Sequence, residues 1–199
     1  ICLSKEHKTV ENILERKAFD MKDQTQSDEF SEFTNQLGNT VDELLILQKV
    51  SSQRVLGIGI GVPLLFYEGS SKEEKKNVFS LKEQQKLKQY LQERFNLPVF
   101  IDKNPNTRLL GEYWYGFAKE CKNFMYIACG EGIGLGILLE GQVIRGNNKI
   151  AGELGHLKVY PNGELCNCGQ EGCLEAYCST DAIEQSYLKQ TGKAMEYQK

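Results

Sequence analysis

His156, Cys166, Cys168 and Cys173 fall within 18 residues of one another, in the run GELGHLKVYPNGELCNCGQEGCLEAY. Nine residues separate the histidine from the first cysteine, one separates the first two cysteines, and four separate the last two. One imidazole and three thiolates complete a tetrahedral zinc shell with no position left for water, which is the pattern of a structural metal and not a catalytic one. Gly163, Gly169 and Gly172 supply the tight turning such a loop needs. The segment carries too little apolar content to hold a shape by core packing, so bound zinc is expected to supply its folding energy. Buried thiols unrelated to a nearby surface histidine would not account for this spacing.

The rest of the composition bounds the setting. A chain of 199 residues with 40% hydrophobic content can bury a core in one or two domains and is not a disordered one. No apolar run reaches the roughly 18 residues of a membrane-spanning helix, and no signal peptide opens the chain. No membrane partner is therefore expected. A net charge of −3 offers nucleic acid no basic surface, so any DNA contact must come through a segment absent from this chain. Seven cysteines are an odd number, and three stand at metal-ligand spacing, which points to a reducing cytoplasm. Cys2, Cys121, Cys129 and Cys178 then read as ordinary small residues, buried or half-buried. The chain opens at Ile1 directly in strand-like sequence and reads as a piece of a longer protein.

Along the chain, residues 1–19 read as two strands around a polar turn, and 20–27 as a connection. Phe30, Phe33, Leu37, Val41, Leu44 and Leu45 recur at helical spacing, with Ser27 placed to cap. RVLGIGIGVP at 54–63 suits a strand buried on both faces. Ser80 and Glu83 form a capping box ahead of Leu87, Tyr90, Leu91 and Phe95. PVFID at 98–102 reads as another buried strand, followed by a helix through LLGEYWYGFAKE. Residues 124–146 read as strand, glycine loop, strand, tight turn and strand, and a helix starts near Asp181. Strands alternating with helices indicate an α/β fold.

Several constellations stay open at this level. Gly130 to Gly136, GEGIGLG, follows a strand and is either a phosphate-binding loop of exposed backbone N–H groups or a turn. A second strand follows it, so it is no dinucleotide fingerprint. Glu153 and Glu175 flank the zinc segment and either converge on a polar ligand or are solvated. Asp102 ends a strand, where α/β proteins place working residues, or caps the next helix. Trp114 with Tyr113, Tyr115 and Phe117 is core or interface.

These pieces, in this order, resemble the ROK family (repressor, open reading frame, kinase). The matching segments are GIGIGVP at 57–63, LPVFIDKNPNTRLLGEYW at 97–114, YIACGEGIGLGILLEGQVIRG at 126–146 and AGELGHLKVYPNGELCNCGQEGCLEAYCS at 151–179. The resemblance implies an actin-like (ribonuclease H-like), two-lobed α/β fold with a sugar site and a structural zinc loop, truncated at both ends. Residues 1–102 would form the N-terminal lobe without its first strand. Residues 103–199 would begin the second lobe, with the zinc loop at 156–173. It also implies a homodimer, and its regulators carry an N-terminal winged helix that this chain lacks.

Set against that family, the chain departs at its working positions. Asn104 stands where the kinases have the catalytic aspartate. An amide cannot take a proton from a sugar hydroxyl, and loss of a general base costs about 10²–10⁴ in rate. Lys103 replaces a sugar-contacting asparagine, exchanging a donor–acceptor amide for donors only. Glu131 replaces threonine in the phosphate loop of Gly130, Gly132 and Gly134, a like-charge contact with a triphosphate worth on the order of a few kcal/mol against binding. Leu64 replaces a glycine that lets backbone approach the sugar. Lys103, Asn104, Glu153, His156 and Glu175 thus read as the remnant of a sugar wall, with no catalytic residue and no use of ATP. The expected function is the effector-sensing and dimerisation region of a ROK-type transcriptional regulator, a repressor or anti-repressor, answering to a sugar or a partner regulatory protein. The alternative is a glucokinase-like enzyme phosphorylating a hexose with ATP, using Asp102 as a displaced base. A third possibility is a zinc-containing scaffold of purely structural function.

Overall fold

The helical spacing of Phe30, Phe33, Leu37, Val41 and Leu45 produces α1 (Glu29–Leu47), whose apolar stripe packs toward α2 (Leu81–Phe95). The computed structural model describes residues 2–4, 13–16, 29–62, 81–147 and 149–194. Ser27, Leu64, Ser80 and the connection at 20–27 lie outside the described residues. Two compact units divide the chain, one within Ile1–Gly61 and Phe79–Asp102, the other within Val62–Val78 and Lys103–Lys199. Among the described residues, no helix is long and apolar enough to cross a membrane.

The first unit holds β1 (Cys2–Ser4) paired antiparallel with β2 (Ile13–Arg16), and β3 (Ile58–Val62) paired with β4 (Val99–Lys103). Its core is Leu87, Leu91, Phe95 and Val99, with Ile58, Ile60, Leu97 and Ile101 packed against it. Arg94 ties α2 to α1, donating from Nε to Asp42 Oδ2 at 3.1 Å and from Nη2 to Asn39 Oδ1 at 2.8 Å. The Asp42 carboxylate raises the Arg94 guanidinium further above its ordinary range. The strands differ from expectation. Residues 52–54 form a 3₁₀ turn, so β3 starts only at Ile58, and its residues alternate between half-buried and exposed before Val62. In β4, Phe100 is 70% exposed. Both strands thus bury one face, where the sequence suggested two.

The second unit is organised by the hairpin of β5 (Phe124–Cys129) and β6 (Ile133–Leu139), in register from Phe124 opposite Leu138 to Cys129 opposite Ile133. Glu140 (φ 49°) and Gly141 (φ 74°) turn the chain into β7 (Gln142–Val143), the two positive φ values that a tight primed turn requires. α3 (Asn104–Tyr115) lies on this sheet, with Leu109 and Leu138 both fully buried. It begins five residues earlier than LLGEYWYGFAKE suggests, because Pro105 pre-sets the backbone of the first turn. It also stops at Tyr115 before Gly116, so Phe117 falls beyond it and is 98% exposed. Trp114 and Tyr115 are exposed too, and the aromatic cluster is not core. Cys121, Cys129 and Cys178 are exposed, contrary to the buried reading; nothing is described for the Cys2 side chain. α4 (Glu175–Cys178) and α5 (Thr180–Thr191) follow, with the Ser179 hydroxyl accepting from the Ala182 N–H at 3.1 Å as the α5 cap.

Candidate functional site

The metal-spaced segment folds as a backbone clasp. A 3₁₀ turn, Leu154–His156, delivers the histidine. Bridges pair Lys158 with Cys173 and Leu165 with Glu171. The Val159 N–H donates to Gly172 O at 2.8 Å, Cys166 N–H to Gln170 O at 2.8 Å and Leu174 N–H to Leu157 O at 2.9 Å. Gly172 has φ 77°, and a Cβ there would run into the Tyr160 carbonyl, so the position needs glycine twice over.

This clasp brings all four predicted ligands together. Their donor atoms lie within 4.8 Å of one another, and the three cysteines are buried. His156 Nδ1 is 3.7 Å from Cys166 Sγ, and Cys168 Sγ is 3.7 Å from Cys173 Sγ. A tetrahedron with Zn–S of about 2.3 Å and Zn–N of about 2.0–2.1 Å has edges of about 3.5–3.8 Å. The donor set therefore fits zinc in chemistry, and these two pairs already stand at the spacing of a tetrahedral edge. Burial pushes the Cys166 thiol up to about 12 and raises that of Cys173 as well. A metal binding there must displace the protons of Cys166 and Cys173, because the thiolate is the ligand.

The residues read as a sugar wall occupy the same unit. Lys103 occupies the N-cap position of α3 without a side-chain capping bond, and its side chain is only 4% exposed. Its Nζ donates to the Ala151 carbonyl and to Glu153 Oε1, the latter at 3.0 Å. Asn104 opens α3, with its carbonyl accepting from Thr107 Oγ1 at 2.9 Å. Glu175 turns inward: its Oε2 accepts the Ile133 N–H at 2.8 Å. Both candidate carboxylates, Glu153 and Glu175, are therefore engaged with the protein.

Of the glycine loop, Gly130 and Gly132 close a turn, with Gly130 N–H donating to Gly132 O at 3.1 Å, and Thr180 N–H donating to Gly130 O at 2.9 Å. Glu131 is exposed. Gly134 is small for a different reason: a Cβ there would strike the Pro105 ring of α3. Tyr177 was not legible as a site residue. Its hydroxyl accepts the Glu164 N–H at 2.7 Å and its ring lies 5.0 Å from that of Tyr160, pinning the loop to α4. No motif marks such a contact.

The family model described as "ROK family" matches residues 7–199. The xylose repressor of Bacillus spizizenii is 37% identical over 147 residues, covering 72% of this chain and 37% of the repressor. The chain thus spans little more than a third of that relative's length. Among solved structures, the ROK hexokinase of Thermus thermophilus aligns with a TM-score of 0.65 at 29% identity, over 83% of this chain and 54% of that one. A ROK family transcriptional regulator, described as a homolog of the E. coli MLC protein, aligns with a TM-score of 0.64 at 30% identity, over 82% of this chain and 41% of that one.

Proposed function

The chain belongs to the ROK family, and from that premise we propose that it is the effector-sensing and dimerisation region of a ROK-type transcriptional regulator, a repressor or anti-repressor. In this reading the sugar-kinase site is degenerate and non-catalytic. His156, Cys166, Cys168 and Cys173 hold a structural zinc, which supplies the folding energy of the 156–173 loop. The region acts in the cytoplasm as a homodimer, and DNA is met through a different segment of the regulator.

The observation that carries this reading is the pairing of Lys103 with Glu153. Where the family's kinases are expected to offer an asparagine amide to sugar hydroxyls, this chain directs a buried lysine at a carboxylate of its own wall. A hexose seeking Glu153 must compete with that contact. Asn104 at the base position and Glu131 in the phosphate loop act in the same direction. The similarity to xylose repressors supports the regulatory role.

The test is an ATP-coupled phosphorylation assay on the full-length protein, together with calorimetry against a panel of monosaccharides. No turnover is expected, and measurable turnover would sink the reading. Calorimetric binding of a sugar would assign a sugar effector; its absence would favour a partner regulatory protein. A second reading, a hexose kinase, is favoured by the equal likeness of fold to the hexokinase. It requires Asp102 as base. Asp102 lies in β4 whereas position 104 opens α3, so strand alternation does not carry the one position to the other.

A further inference from the structure

We propose that Lys103 is a positioning residue of the metal centre, holding His156 in place through the segment Ala151–Glu153. The inference rests on the reading of the four-residue cluster as a zinc site.

A buried ammonium without fixed partners is costly, so a lysine at 4% exposure ties down whatever it bonds. Lys103 reaches across 48 residues of chain to the Ala151 carbonyl and across 50 to Glu153 Oε1. Those partners bracket Gly152 (φ 84°), whose carbonyl accepts the Leu135 N–H of β6 at 3.2 Å. A Cβ at Gly152 would meet the Leu135 carbonyl, so this segment is pressed against the sheet where Lys103 also grips it.

The grip continues into the ligand. The carbonyl of Glu153 accepts the His156 N–H at 3.1 Å, closing the 3₁₀ turn that presents His156 Nδ1 to Cys166 Sγ. The three cysteines come from the other arm of the clasp, fixed by their own backbone bonds. His156 alone enters from the arm that Lys103 holds, with Leu157 secured by the Leu174 N–H beyond it. Outer groups that orient a metal ligand are commonly worth about 10–100-fold in affinity.

The experiment compares zinc affinity of the folded protein, by competition with a chromophoric chelator, in wild type, Lys103→Met and Arg94→Met, with cobalt(II) absorption as a second readout. Lys103→Met is expected to bind zinc about 10–100-fold more weakly and to alter the cobalt band intensity. Arg94→Met breaks an ion pair in the other unit and is expected to leave both readouts unchanged. Wild-type affinity in Lys103→Met overturns the proposal, as does an equal loss in Arg94→Met. If Lys103→Met does not fold, Glu153→Gln is measured instead: weaker zinc supports the coupling and wild-type affinity overturns it. A wild-type protein that takes up no zinc overturns the underlying metal reading, which is a separate failure.

Discussion

Glu175 carries a backbone hydrogen bond that its place in the sequence does not announce. Its Oε2 accepts the N–H of Ile133, a buried residue, and also lies against Gly155. Truncating the acceptor leaves that amide unpaired, so Glu175→Ala is predicted to cost about 1–3 kcal/mol, and Glu175→Gln, which keeps an acceptor oxygen, less. Urea unfolding midpoints would decide it: equal stability of Glu175→Ala and wild type would mean the bond does not matter in solution. The clustering of His156, Cys166, Cys168 and Cys173 could be read from the sequence because it is local, four donor groups within one short run. Glu175 and Lys103 stand among the expected sugar-wall residues, but the contacts they make could not be read. Their partners lie 42 and 50 residues away, and no spacing rule links a carboxylate to a distant amide or lysine. The same limit applies to Tyr177, whose hydroxyl serves a backbone N–H in the opposing arm of the clasp.

Between elements, legibility followed periodicity. α1 and α2 emerge where their apolar residues repeat at the helical period, and the β5–β6 hairpin emerges where two apolar runs flank glycines. The start of α3 was missed because apolar spacing begins only at Leu109, whereas the helix is initiated by Pro105. The glycines of β6 separate two meanings that the sequence leaves merged. Gly136 sits where a Cβ would be 2.7 Å from the Pro105 carbonyl and 3.0 Å from Leu109 Cβ, so it is small to admit α3. Gly59 in β3 meets nothing within 4 Å. Gly136→Ala is therefore predicted to destabilise by about 1–3 kcal/mol through overpacking. Gly59→Ala should be neutral or stabilising by up to about 1 kcal/mol, by restricting the unfolded chain. Denaturant midpoints of the two variants should move in different directions. A Gly136→Ala protein as stable as wild type would contradict the close packing of α3 on the hairpin.

At the scale of the whole chain, each unit has its own source of stability. The first rests on Leu87, Leu91, Phe95 and Val99. The second combines the α3–hairpin core with a satellite of Cys166, Cys168 and Cys173, backed among the described residues only by Ala176. Around that satellite Leu157, Tyr160 and Leu165 remain exposed, so apolar burial contributes little to the loop's shape. Under the zinc reading, removing the metal takes away the main restraint on residues 154–178 and leaves the first unit's core intact. Hydrogen exchange followed by mass spectrometry, with and without a strong chelator, should thus show faster exchange at Val159, Cys166, Gly172 and Leu174, whose amides close the clasp. Amides of α1 and α2 should keep their protection, because their bonds depend on the Leu87 and Leu91 core. Melting should begin earlier in the chelated protein, since a ligand bound only by the folded state stabilises it. Unchanged exchange across the clasp after complete metal removal would show that its backbone bonds suffice without zinc, and the structural role assigned to His156, Cys166, Cys168 and Cys173 would fall.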